Sequence, residues 1–158
     1  MIRTATPEDL AQIMAIENAS FPTDAWPENA MASELEGTYG RYIVAEADGV
    51  IQGYAGLRHL PGGADSDVQT IAVAAETRGQ GLGRKLLEEL LLTADERGAR
   101  EVFLEVRADN PVAEKLYASE GFVEIGRRAR YYQPDDVDAI IMKLDLPTWR
   151  QETKEKRA

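Results

Sequence analysis

Val68–Arg97 reads VQTIAVAAETRGQGLGRKLLEELLLTADER, and three kinds of local pattern follow one another within it. Val68–Val73 is β-branched and apolar enough for a strand. Arg78-Gly79-Gln80-Gly81-Leu82-Gly83 then sets three glycines within five positions, which lets a backbone approach a ligand closely. Leu82, Leu86, Leu87, Leu90 and Ala94 recur at helical spacing, and Arg97-Gly98 is a helix stop. A helix N-terminus behind such a loop offers free N–H groups and the positive end of the macrodipole, a setting suited to phosphate.

The loop excludes two common phosphate sites. A dinucleotide fingerprint needs glycine where Arg84 stands, and a P-loop needs four residues between its glycines followed by Lys and Ser or Thr. What remains is Arg-x-x-Gly-x-Gly, carried by Arg78, Gly81 and Gly83. A tight turn that merely requires glycine is the alternative reading.

Upstream, Thr6-Pro7-Glu8-Asp9 opens a helix carrying Leu10, Ile13, Met14 and Ile16. Phe21-Pro22-Thr23-Asp24-Ala25-Trp26-Pro27 interrupts it, and a short helix over 27–35 follows. Phe21 and Trp26 line either a pocket mouth or a satellite of the core. Arg41–Ala47 and Val50–His59 read as strands joined through Asp48-Gly49, a hairpin signal. His59, the only histidine, reads as structural or solvated. Downstream, Val102–Val106 is nearly all apolar and suits a strand covered on both faces after a crossover helix. Asn110-Pro111 caps a helix over Val112–Tyr117 that Gly121 ends. Phe122–Gln133 and Ala139–Leu144 form a last strand pair, and the polar segment from Pro147 onward reads as a frayed tail.

With 158 residues, 44% hydrophobic and 29% charged, the chain suits one soluble domain. Without cysteine it has neither disulfides nor thiolate metal ligands, and one histidine argues against a transition metal. No leader or spanning segment stands out, which makes the cytoplasm the expected compartment. The net charge of −10 disfavours nucleic acid and anionic membranes. It suits a cationic acceptor such as an amine, or serves solubility alone.

The glycine loop and the element order α, α, β, β, β, α, β, α, β, β resemble the GNAT N-acetyltransferases over about Ile2–Leu146. Thr70–Val73, Arg78–Arg84, Leu104-Glu105-Val106-Arg107 with Asn110, Leu116-Tyr117 with Gly121-Phe122, and Arg127–Tyr132 with Asp138-Ala139 resemble the RimI-like branch. The resemblance implies an α/β (α+β) fold with a mixed, largely antiparallel sheet, splayed at an acetyl-CoA site and flanked by helices. The domain would span residues 1–146, with 147–158 as a polar tail. It implies acetyl transfer from acetyl-CoA, without metal, to the N-terminal α-amine of a protein, a small-subunit ribosomal protein in that branch.

Residue by residue, the resemblance assigns the pyrophosphate to Arg78, Gly79, Gln80, Gly81, Leu82, Gly83 and Arg84, and pantetheine to the backbone of Ile71, Ala72 and Val73. Asn110 would contact CoA as well as cap its helix. Glu105, a carboxylate in a strand that reads as buried, is the candidate base, its pKa raised by desolvation; a structural ion pair with Arg107 is the alternative. Tyr117, protonated at neutral pH, is the candidate acid, with plain core packing as the alternative. Tyr131 and Tyr132 would hold the substrate backbone opposite Phe21 and Trp26, while Arg127, Arg128 and Arg130 read as a solvated hairpin face. A GNAT acting on a small amine or a lysine side chain, and a non-catalytic acyl-CoA-binding module, are the competing functions. The Gly62-Gly63 loop and the tail carry no assigned role.

Overall fold

The computed structural model describes residues 1–157. Seven strands, β1 (Ile2–Thr4), β2 (Gly40–Ala47), β3 (Val50–Arg58), β4 (Asp65–Val73), β5 (Glu101–Arg107), β6 (Val123–Tyr132) and β7 (Val137–Asp145), form one sheet. Its order is β1-β2-β3-β4-β5-β7-β6, antiparallel except between β4 and β5. Five helices flank it: α1 (Leu10–Ser20), α2 (Glu28–Glu36), α3 (Leu82–Glu96), α4 (Pro111–Glu120) and α5 (Leu146–Arg157). This is the expected mixed, largely antiparallel architecture.

Period-2 alternation divides the apolar residues between the two faces of the sheet. Tyr42, Val44, Tyr54 and Ala72 pack under Ile13, Met14 and Ile16 of α1 and Met31 of α2. Ile43, Ala45, Ala55 and Leu57 pack with Leu86, Leu87, Leu90 and Leu91 of α3 on the opposite face. β5 alternates too: Val102, Leu104 and Val106 are buried, and Glu101, Phe103, Glu105 and Arg107 are not. The expectation of a strand covered on both faces is therefore corrected, because only the α3 side of β5 is sealed.

β4 and β5 pair only at Asp65↔Glu101, Ser66↔Val102 and Asp67↔Phe103. Beyond Asp67 the strands diverge, and the rest of β4 keeps β3 as its neighbour. Ala74 N–H donates to Gln52 O at 2.8 Å. By the alternation of an antiparallel ladder, Ala72 also turns its backbone toward β3, whereas Ile71 and Val73 turn theirs into the gap.

Behind that gap lies a buried carboxylate. Glu17 of α1 is 1% exposed. One of its oxygens accepts the Trp26 backbone N–H at 2.9 Å, and the other accepts the Tyr54 hydroxyl, with the Thr70 hydroxyl 3.5 Å away. Glu17 thus fastens the α1–α2 loop to β3 and β4. Burial pushes its carboxyl above the ordinary carboxylate value, against the opposing pull of the Trp26 and Thr70 hydrogen bonds.

The segment after Pro147 is not frayed. It forms most of α5, with Leu146 fully buried and Trp149 5% exposed in the α3-side core. Trp149 also donates its indole N–H to Glu120 at 3.4 Å. His59 is likewise structural: it is 5% exposed, with Nδ1 2.8 Å from the Ser66 hydroxyl.

Two outcomes follow from this packing. Trp149→Ala should destabilise the protein by about 3 kcal/mol or more and lower Tm by roughly 6–12 °C; an unchanged Tm in thermal unfolding would mean that α5 is only loosely attached. For Glu17, the folded state keeps its proton to higher pH than the unfolded chain. Its stabilising contribution is full below about pH 4.3 and is lost as pH rises through the folded value. Glu17→Gln should therefore flatten the fall of Tm with rising pH above that point, and Tm–pH curves parallel to the parent's would contradict the assignment.

Candidate active site

The divergence of β4 and β5 opens a cleft of about 1000 Å³. Asp67 to Ile71 form one wall and Phe103 to Arg107 the other. The α1–α2 loop contributes Phe21, Asp24 and Trp26, the end of β6 contributes Tyr131 and Tyr132, and α4 contributes Ala113 and Tyr117. Residues from both faces of the sheet meet here. Glu105 lies on the α1 side of β5, whereas Tyr117 belongs to the α3-side core.

Glu105 is not buried. Its side chain is 32% exposed, and Oε1 lies 3.6 Å from Arg128 Nη2. The expectation of a desolvated carboxylate is thus corrected, and the partner is Arg128 rather than Arg107. Arg128 also lies over the Tyr131 ring at 5.4 Å. Of the three hairpin arginines it is the one that lines the cleft, whereas Arg127 pairs with Glu124 and Arg130 with Asp136.

Tyr117 is 9% exposed, and burial pushes its phenol up to about 12. It packs edge-to-face on Phe122 with ring centroids 6.0 Å apart. Its helix starts at Asn110, whose side-chain oxygen accepts the Ala113 N–H at 3.2 Å, so the cap reading holds; Asn110 also lines the cleft. Tyr131 and Tyr132 stand edge-to-face at 5.2 Å. Burial, then Glu105, then Asp24 push Tyr132 up to about 12. β6 bulges between Arg128 and Tyr132. There Arg130 adopts φ 53°, and its N–H donates to Asp138 at 3.0 Å.

The glycine loop lies outside this cleft, at the start of α3. Gly81 caps the helix at φ 80°, with open space where a Cβ would stand. Among the described residues, the amides of Gly79 to Arg84 have no backbone acceptor, which leaves them for an anion. Arg84 itself is committed to Glu120 at 2.7 Å and Ser119 at 2.8 Å, so its expected charge on the phosphates is already engaged. Arg78 donates through Nε to Val73 O at 3.3 Å. Free amides at the loop and the open edge at Ile71 and Val73 fit an extended, phosphorylated thioester carrier. Ala72 does not offer its backbone, because it is turned to β3. Among the described residues no cluster of His, Cys, Asp or Glu could hold a metal ion, and no helix is long and apolar enough to cross a membrane.

Three acidic residues join the lining beyond those expected. Glu17 falls three and four residues after Met14 and Ile13, so a carboxylate on the apolar face of its helix is its local signal. Asp24 and Asp67 look like plain loop and strand-end acids, and only the tertiary fold brings them to the cleft.

Relatives share both sequence and fold. The N-alpha-acetyltransferase RimI of Mycobacterium tuberculosis is 42% identical over 124 residues, covering 77% of this chain and 77% of its own. An uncharacterised protein of Mycobacterium leprae is 42% identical over 149 residues, 92% of this chain, which spans only 40% of that protein's length. The crystal structure of the Escherichia coli ribosomal-protein-S18-alanine N-acetyltransferase superposes with a TM-score of 0.81 at 32% identity, covering 92% of this chain and 93% of its own. Residues 10–122 match the acetyltransferase (GNAT) family, and the chain belongs to that family of acetyl-CoA-dependent N-acetyltransferases.

Proposed function

We propose that this protein acetylates the N-terminal α-amine of a protein, and that a small-subunit ribosomal protein of the kind modified by its RimI-like relatives is the substrate. The observation that carries this reading is the cleft itself. It combines an accessible carboxylate, Glu105, with a protonated phenol, Tyr117, reached from opposite faces of one splayed sheet. A relative named as a ribosomal-protein-S18-alanine N-acetyltransferase, sharing the fold at 32% identity, supports the choice of acceptor. The place of action would be the cytoplasm.

Acetyl-CoA supplies an already activated thioester. The amides from Gly79 to Arg84 hold its phosphates, and the open backbone of Ile71 and Val73 aligns the carrier arm. An amide on that strand edge is a fixed donor for a developing oxyanion. Glu105 accepts the proton that the attacking amine must shed, directly or through water. Tyr117 donates its phenolic proton to the departing thiolate. An α-amine has a pKa of ~7.7–8.0 against ~10.4 for lysine, so a larger share of it is neutral and nucleophilic near pH 7. Tyr131 and Tyr132, facing Phe21 and Trp26, grip the first residues of the substrate.

Two peptides of one sequence test the acceptor, one with a free α-amine and one with that amine blocked and a lysine present. Acetylation of the free α-amine alone is expected. Acetylation of the lysine alone would move the protein to another branch of the family, and acetyl-CoA binding without turnover on either would favour a small amine or a binding module.

The acid–base pair has its own test. Glu105→Gln and Tyr117→Phe should each lower kcat by about 10²-fold or more, while the Tm increase caused by acetyl-CoA stays within about 1 °C of the parent's. Retained turnover in either variant removes that residue from the chemistry.

A further inference from the structure

We propose that Arg107 is a positioning residue that latches the two substrate-gripping segments, the α1–α2 loop and the β6–β7 turn, across the mouth of the cleft. Its guanidinium reaches three carboxylates from three segments. Nη1 lies 3.5 Å from Asp24 in the α1–α2 loop, Nη2 donates to Asp135 in the β6–β7 turn at 2.9 Å, and Nε donates to Asp109 after β5 at 2.9 Å. The same group lies over the Tyr132 ring, 5.2 Å from its centroid. A direct bond reinforces the bridge, with the Thr23 hydroxyl donating to Asp135 at 2.6 Å. Thr23 and Asp135 are 112 residues apart in sequence, so the contact exists only because these two loops close over the splay.

The planar fork suits this task. Arginine presents several donors in fixed directions and can serve more than one carboxylate while stacking on an aromatic ring. Arg107 is 17% exposed and Asp24 20%, so the bridge is better shielded than an ordinary surface pair. Asp135 is held below the usual carboxylate range, first by Thr23 and then by Arg107. Phe21 and Trp26 flank one end of the latch, and Tyr131 and Tyr132 the other. The spacing between these four rings, and hence the acceptor that passes between them, depends on Arg107 keeping both loops in place. Asp109 accepts from both Nε at 2.9 Å and Nη2 at 3.0 Å, but it lies only two residues along the chain and ties down no distant segment, so it provides the internal control.

The effect on the acceptor rests on the N-terminal acetyltransferase reading; the latch itself can be measured without turnover. In hydrogen exchange, Arg107→Gln and Asp135→Ala should each speed exchange in residues 21–27 and 131–137 together by about tenfold, and Asp109→Asn should leave both segments unchanged. In kinetics on a peptide with a free α-amine, the first two variants should raise the peptide KM by about tenfold, with kcat within about twofold and the KM for acetyl-CoA unchanged. Salt should raise the peptide KM of the parent and lose that effect in Arg107→Gln. Unchanged exchange in both segments, or a change equal to that of Asp109→Asn, overturns the latch whatever the substrate is. Coupled loop exchange with no peptide turnover in the parent sustains the latch and removes the peptide reading instead. If Arg107→Gln fails to fold, Asp135→Ala carries both readouts.

Discussion

Everything at this site depends on β4 and β5 ceasing to pair after three residues. A parallel ladder that continued past Asp67↔Phe103 would consume the backbone of Ile71 and Val73 and leave no cleft. The pairing stops where β4 bulges: Gly56↔Thr70 is followed by Leu57↔Val68, which leaves Gln69 as an extra residue just past Asp67 and bends the strand. β4 follows β3 as far as Gly53↔Val73, and β5 follows β7 along its whole length, from Glu101↔Asp145 to Arg107↔Ala139. The twist of two such ladders carries the strands apart. An open strand edge in a protein interior is costly unless something satisfies it. Here the edge faces a cleft large enough for a ligand, and the same gap is lined by a carboxylate from one face of the sheet and a phenol from the other.

The charges around the cleft suit the cationic acceptor proposed above. Four lining acids, Glu17, Asp24, Asp67 and Glu105, outnumber two lining arginines, Arg107 and Arg128. Of these, Arg107 is committed to aspartates, Asp24 among them, and Glu17 is buried, which leaves the exposed Asp67 and Glu105, the latter facing the half-exposed Arg128. The case for Glu105 therefore cannot come from burial. It rests on access to the cleft and on the proposed acceptor: an α-ammonium gives up its proton far more readily than a lysine ammonium.

Local signals were legible in the sequence and long-range ones were not. The glycine loop, the stripe of α3 and the Asp48-Gly49 hairpin are decided by residues close in the chain, and all three appear, with Asp48 and Gly49 both at positive φ. Nearness in sequence offers Arg107, two residues along the strand and on the same face, as an ion-pair partner for Glu105, whereas the partner in the structure comes from β6. The helix in the tail is hidden for a related reason. Leu146 and Trp149 are two apolar residues in a polar segment, too few for a periodic stripe, yet together they seal one end of the α3-side core. Glu17 illustrates the converse. Its place on the apolar face of α1 follows from the spacing, but the Tyr54 and Thr70 hydroxyls that make it a buried tie come from β3 and β4.

The bulge in β6 shows how local strain is used at the site. In a regular strand, consecutive side chains point to opposite faces, so Tyr131 and Tyr132 could not both reach the cleft. Between the pairs Arg128↔Ala139 and Tyr132↔Val137 the register slips by two residues. Arg130 takes up the slack in a left-handed conformation that costs a non-glycine residue about 1 kcal/mol. Its N–H, deprived of a ladder partner, is satisfied by the Asp138 carboxylate instead. With the alternation broken, both tyrosines line the cleft and meet edge-to-face, one beneath Arg128 and the other beneath Arg107. The strained residue and the two rings are consecutive in the chain, as expected of a bulge whose effect is to re-aim side chains.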